Sequence, residues 1–407
     1  MEHRDIASTL TETPSVLSYL QALLFASPAK WRVSIAATPE AMRSRWPAIQ
    51  AAGGHTVFQT PEWLEAWYGA AARCPGVEPV IVMVDDADGL CAMVLPLIVA
   101  LSGGRRVLGF ADQGVTDYNA PLLGPAAPRT PAAMRQIWTA IRRELPQFDL
   151  IRFDKMPRMA GRVENPMVWL SGAGLSSQTQ SACRIGLPYQ ASREALMPAS
   201  FRSKMDACLK RLKKNATMRF YEAAGLAEVT AAFDALVAQK SARARQMGWH
   251  DNVLDDPVWQ DFYRGLAIRG ALGQGPARLL VLSVDDAPAA IILGFLQGDR
   301  FHDVVASFDT TRFKNCSLGL LVQDMAMGFM AERGVTTYDM TIGAESYKDL
   351  YGPEVETLYE YAATGSLRGF SGAAVTQAKL ALRRSPAMVC FAKRCAAFFQ
   401  SAKSRPA

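Results

Sequence analysis

The sequence predicts an α/β (mixed α+β) protein of two tandem domains, each a mixed sheet flanked by helices. Three observations predict it. The chain has 407 residues, long for one domain and suited to two of about 160–180 residues each. Half of the residues are hydrophobic, enough for two cores. An order of two helices, three strands, a helix and a strand also occurs twice along the chain, without evident residue identity between the copies.

In the first copy, WRVSIAA reads as a strand and PEAMRSRWPAIQAA as a helix, followed by the helix PEWLEAWYGAA with Pro61 suited to its first turn. Strands around VEPVIVMVDD, LCAMVLPLIVAL and RRVLGFADQ are separated by turn signals at Asp88-Gly89 and Gly103-Gly104. A helix over 131–145 and the strand FDLIRFDKM complete the copy. The second copy has helices over 193–215 and 226–247, then strands ARLLVLSVDD, PAAIILGFLQ and RFHDVVASFD. An apolar-periodic helix opens after Ser317 and stops at Gly334, and the strand VTTYDMTIG follows. The domains are placed at 29–187 and 188–365, with an N-terminal extension over 1–28 and a tail over 366–407.

Composition narrows the function. No run of 18 uncharged apolar residues is present, so no spanning helix is expected. VLSYLQALLFA (16–26) follows Glu2, Asp5 and Glu12, where a signal peptide needs positive charge, and reads as a docking helix. Cys74, Cys91, Cys183, Cys208, Cys316, Cys390 and Cys395 are scattered, without ligand or disulfide spacing, which predicts a reduced, cytoplasmic protein with no metal. From Arg368 onward there are eight basic residues and no acidic one; without them the net charge of +6 becomes −2. Val375, Leu380, Leu382, Phe391, Phe398 and Phe399 interleave with those basic residues. Such a segment suits an anionic membrane face, and equally a helix packed on the body with a solvated basic face. Nucleic acid is a poorer partner, because no base-reading fold or basic stripe with stacking aromatics is evident.

The richest stretch is 301–351. Val304, Val305, Ser307 and Phe308 make a short strand, and Ser317, Leu318 and Gly319 open the next helix. The free N–H groups of a helix's first turn hold anions, and Gly319 admits a pyrophosphate close to the backbone; Ser is also the commonest ordinary N-cap, and Gly319 equally suits close packing. Arg312 and Lys314 add charge just upstream. His302, on the strand leading to this turn, is a minor candidate base, while Cys316 reads as a small buried residue.

With FQTPEWLEAWY, GFADQGVTDYNAPLL, the basic helix FRSKMDACLKRLKK and the series Asp339, Gly343, Glu345, Tyr347, Lys348, this stretch resembles the GNAT-type acyltransferases of the CelD/BcsL branch. Those proteins are associated with cellulose and exopolysaccharide synthesis and are akin to the FemAB-like tandem GNAT ligases. The resemblance covers residues from about 30 to 365. Asn315 and Ser317 stand where the family's pyrophosphate pattern has glycines, and Tyr351 where Trp is expected.

The resemblance implies acetyl-CoA or another acyl-CoA as co-substrate, and acyl transfer to a hydroxyl or amine of a saccharide acceptor. By position, Ser317, Leu318 and Gly319 supply backbone donors for the pyrophosphate, with Arg312 or Lys314 assisting. Asp339 or Glu345 accepts the nucleophile's proton, Tyr347 protonates the leaving thiolate, and Lys348 holds an anionic acceptor or phosphate. Trp63, Trp67, Asp117 and Tyr118 line an acceptor groove between the halves. In the first copy the matching turn, AAPRTPAAM, has prolines where donors are needed. Two alternatives stand beside this reading. One is a FemAB-like aminoacyl-tRNA-dependent ligase that uses the basic helix with Arg202, Lys204, Lys210, Arg211, Lys213 and Lys214. The other is a non-catalytic partner of a membrane polysaccharide synthase.

Overall fold

The computed structural model of the protein describes residues 31–248, 253–313 and 316–384. The strands are β1 (Arg32–Ala36), β2 (Val77–Asp85), β3 (Cys91–Ser102), β4 (Arg105–Phe110), β5 (Leu122–Leu123), β6 (Leu150–Met156), β7 (Met159–Ala160), β8 (Val163–Glu164) and β9 (Gly174–Arg184) in the first part of the chain. The second part has β10 (Met218–Glu222), β11 (Ala277–Val284), β12 (Ala287–Gln297), β13 (Arg300–Phe308), β14 (Thr337–Ile342) and β15 (Glu354–Thr364). The main helices are α1 (Trp46–Ala52), α2 (Pro61–Ala71), α3 (Pro131–Glu144), α4 (Tyr189–Leu196), α5 (Ala199–Asn215), α6 (Gly225–Met247), α7 (Pro257–Ala271), α8 (Leu318–Ala331) and α9 (Phe370–Arg384). No helix among the described residues is long and apolar enough to cross a membrane.

Both halves build one continuous mixed sheet, ordered β1-β2-β3-β4-β6-β15-β9-β14-β13-β12-β11-β10, with β5 paired to β3 at the side. Each half runs as an antiparallel meander that ends in a parallel pair, β4 with β6 and β13 with β14. The halves exchange their closing strands. β9, which precedes 187, pairs with β14, and β15, the last strand among the described residues, pairs with β6; the two then pair with each other at the centre. In both copies the second strand of the parallel pair carries a bulge with a left-handed residue, Lys155 (φ 55) in β6 and Thr341 (φ 55) in β14. The repeat is thus preserved in backbone geometry where residue identity has gone.

The helix expected over 193–215 is two, α4 and α5. Met197 (ψ 137) is extended and Pro198 caps α5, because proline lacks the N–H and disfavours helical conformation in the residue before it. α9 packs its buried residues Ala373 and Leu380 toward the body beside β15 and β9. The rest of the basic tail and the 16–26 segment lie outside the described residues.

Each half has a hydrophobic cluster of its own, and a third, shared cluster joins them at the seam. Trp63 and Trp67, expected to line a groove, are sealed in it at 1% and 0% exposure. Trp63 makes edge contacts with Phe58 at 4.9 Å on its own half, and with Phe262 and Phe295 at 5.1 Å each on the other. Its bulk fills the seam, and large aromatics buried at such junctions dominate the packing energy. The Trp63→Ala variant is expected to lose about 3–5 kcal/mol of stability. Urea denaturation followed by circular dichroism and by fluorescence should give coincident single transitions, since the shared cluster and the continuous sheet couple the two halves.

Candidate functional site

The parallel strands β13 and β14 pair only at Arg300 with Thr337, Phe301 with Tyr338, and His302 with Asp339. Beyond these residues the strands part, β13 running on to Phe308 and β14 to Ile342. Two irregularities open them. In β13 the register against β12 passes from Asp303 to Val305, so that Val304 is a bulge. In β14 Thr341 takes a left-handed conformation that β-branched residues rarely adopt. It is held there by its N–H donating to Asp339 Oδ1 (2.8 Å) and its hydroxyl donating to the carbonyl of Asp303 across the opening (3.1 Å).

The N-terminus of α8 stands at the mouth. Ser317 is left-handed (φ 45, ψ 47) and its side chain makes no cap hydrogen bond, while its carbonyl accepts from Leu320 and Leu321 at 2.9 and 3.0 Å. The N–H groups of Leu318 and Gly319 precede any intrahelical acceptor and are the orphan donors of the first turn. The matching helix of the first half, α3, is closed instead. Thr130 accepts from Ala133 N at 3.2 Å, and Pro131 removes a donor. Gly319 has a packing reason of its own, because a Cβ there would lie 2.5 Å from the Phe308 ring. Arg312 is exposed, with its guanidinium 5.1 Å from the Phe313 ring centre. Lys314 lies outside the described residues.

Inside the opening, Asp303 is buried and accepts from Tyr338 (3.0 Å) and Gln323 (3.2 Å). Burial pushes its pKa up to about 6, against the opposing pull of Tyr338 and Lys348. Burial also lowers the pKa of Lys240, on α6, with Arg243 repelling its charge. Tyr347, half-buried, has its hydroxyl pushed up to about 12 by burial and by Asp303. Glu345 is exposed and pairs with Lys348 at 3.1 Å. Lys348 differs from the expected anion holder: it is 4% exposed and its ammonium donates to the carbonyl of Ile342 at 2.7 Å. It pins the loop after β14, and its donors are directed inward.

Asp339 differs from the expected base. Burial alone raises a carboxyl pKa, but His302, Arg300 and Tyr118 together hold this one below its ordinary value. Tyr118 donates to Oδ1 at 2.7 Å, and Arg300 donates to Oδ2 at 3.0 Å. His302 Nδ1 stands 3.3 Å from Oδ2. With Thr341 also donating, the carboxylate is saturated. Tyr118 is therefore a buried bridge between the halves, whereas its neighbour Asp117 is half-buried, with a pKa raised to about 7 by desolvation against the pull of Lys155. Asp303, Arg300 and Lys240 were not legible as site residues; the signal for Asp303 was a charge inside an apolar strand.

Residues 199–349, within the second half of the chain, match the family model described as the acetyltransferase (GNAT) domain. No curated protein sequence matches the chain. Among solved structures it is similar to one titled crystal structure of FemX, with 11% identity, 82% of this chain and 97% of that one covered, and a TM-score of 0.55. A conserved protein of unknown function from Bacteroides thetaiotaomicron has 10% identity, coverages of 82% and 99%, and a TM-score of 0.49. A tandem GNAT protein from the clavulanic acid biosynthesis pathway has 13% identity, coverages of 83% and 99%, and a TM-score of 0.42. The likeness to the FemX structure is one of fold.

Tyr118→Phe should cost about 1.5–3 kcal/mol at neutral pH, the range for a hydrogen bond to a charged group. Because the folded-state pKa of Asp339 is depressed, its contribution is present above the unfolded value near about pH 4 and is lost as pH falls through the folded value. Losing the Tyr118 donor raises that folded value, so the acid-unfolding midpoint should move to higher pH, measured by circular dichroism.

Proposed function

We propose that the second half transfers an acyl group, acetyl in the first instance, from acyl-coenzyme A to a hydroxyl or amine of a saccharide or saccharide precursor. The observation that carries the reading is the parting of β13 and β14 in front of the uncapped α8 N-terminus. The thioester supplies an electrophilic carbonyl and a thiolate leaving group. Leu318 and Gly319 hold the pyrophosphate with backbone N–H groups, helped by the partial positive charge of the helix end. β13 has no pairing with β14 beyond His302, which leaves strand edge free along the opening. Tyr347, protonated at neutral pH, is placed as proton donor to the thiolate.

The saccharide acceptor, and a link to cellulose or exopolysaccharide synthesis, rest on the sequence resemblance to the CelD/BcsL branch. In that setting the basic segment after Arg368 brings the protein to an anionic membrane face or to a polysaccharide synthase.

Calorimetric titration with acetyl-CoA tests the donor site. Ser317→Asp is the informative variant, because aspartate tolerates the left-handed conformation and caps the helix while placing a negative charge where the pyrophosphate sits. Wild type should bind, and the variant should keep its thermal stability and lose about tenfold or more in affinity. A folded wild-type protein that binds no acyl-CoA removes the reading.

A further inference from the structure

A second cavity, of about 500 Å³, lies where the two halves meet, and no part of the donor site uses it. Its walls come from the first half at Thr56 and 157–161, from the exchanged strands β9 and β15, and from the start of β13. Arg184 and Arg300 balance Glu354 and Glu356 in its lining, and Gln180 and Gln297 add amide donors and acceptors. Such a lining disfavours a strongly charged ligand and suits one whose groups both donate and accept, as hydroxyls do.

His302 also lines this cavity, its side chain only 2% exposed. Nδ1 stands 3.3 Å from the Asp339 carboxylate, off the geometry of a hydrogen bond, and both ring nitrogens are buried without a hydrogen-bond partner among the described residues. A carboxylate beside one nitrogen orients the ring and leaves the other nitrogen to face a ligand. His302 is the last β13 residue paired with β14, so this wall of the cavity lies at the foot of the donor opening.

We propose that the seam cavity is the acceptor subsite, that it takes a neutral, hydroxyl-rich ligand of saccharide type, and that His302 Nε2 accepts the nucleophile's proton. This rests on the acyl-transfer reading above. As the acceptor oxygen or nitrogen attacks the thioester carbonyl, its proton passes to His302. The C–S bond then breaks with its electron pair on sulfur, and the thiolate takes a proton from Tyr347 or from the imidazolium, so that an acyl ester or amide and the free thiol are formed. Asp339, facing the imidazolium together with Arg300 and Tyr118, remains ionised.

The test uses the full chain with cellobiose and N-acetylglucosamine as acceptor probes, following binding by calorimetry and acetyl transfer by thiol release. Wild type is expected to bind and acetylate at least one of them. Ala182→Phe, on β9 in the cavity wall and away from α8, should abolish sugar binding and transfer. His302→Gln, which keeps a hydrogen-bonding group toward Asp339, should lower kcat about 10²-fold or more and remove the acid limb of its pH profile. Acetyl-CoA binding should be unchanged in both variants; its absence from wild type is instead the failure of the donor-site reading. The proposal is overturned if folded wild type binds neither sugar, if Ala182→Phe transfers normally, or if His302→Gln keeps both rate and profile.

Discussion

Asp339 is a carboxylate buried in the middle of the protein, and so much depends on it because burying a charge is tolerable only where it is fully paired. Four groups pair it: the tyrosine hydroxyl of Tyr118 from the first half, Arg300 and His302 from β13, and the Thr341 N–H from its own strand. Satisfying that one charge fixes the docking of the halves, the parallel register at the foot of the opening, and the unusual backbone of Thr341. The same charge that would be ruinous if unpaired is therefore what locks the geometry around the opening.

The duplication shows how one fold gives two different surfaces. Both copies have a parallel pair, a bulged second strand and a helix that follows the first strand. They differ at the helix end. Thr130 and Pro131 close α3 on itself, whereas Ser317 leaves the first turn of α8 open. A few residues at one terminus separate a scaffold from a donor site, while the cores beneath are built alike.

The elements with strong periodicity were legible in the sequence: the apolar strands β2, β3, β11 and β12, the amphipathic α3, and the helix after Ser317. The central strands β9 and β15 were not. GLSSQTQSACR and EVETLYEYAAT carry too little apolar alternation to stand out, because they lie at the sheet centre with polar residues facing the seam. α7, though apolar, falls outside the order of helices and strands that repeats along the chain. At the site, the turn at Ser317 and the importance of Asp339 could be seen locally. Trp63 and Trp67 could not be placed, since a tryptophan on a helix has the same local pattern whether it faces a ligand or another domain. The burial of Lys348 was equally invisible, because its partners are backbone carbonyls.

The exchange of β9 and β15 also bears on how the chain reaches this state. β6 finds its final neighbour only when β15 has been synthesised, so the first half cannot complete its sheet while it leaves the ribosome. Until then β6 offers a bare edge along the nascent chain, and an edge of that kind invites pairing with the wrong strand. The polar composition of β9 and β15 has a kinetic advantage in this setting. The two strands that must wait longest for their partners are among those least prone to aggregate while they wait.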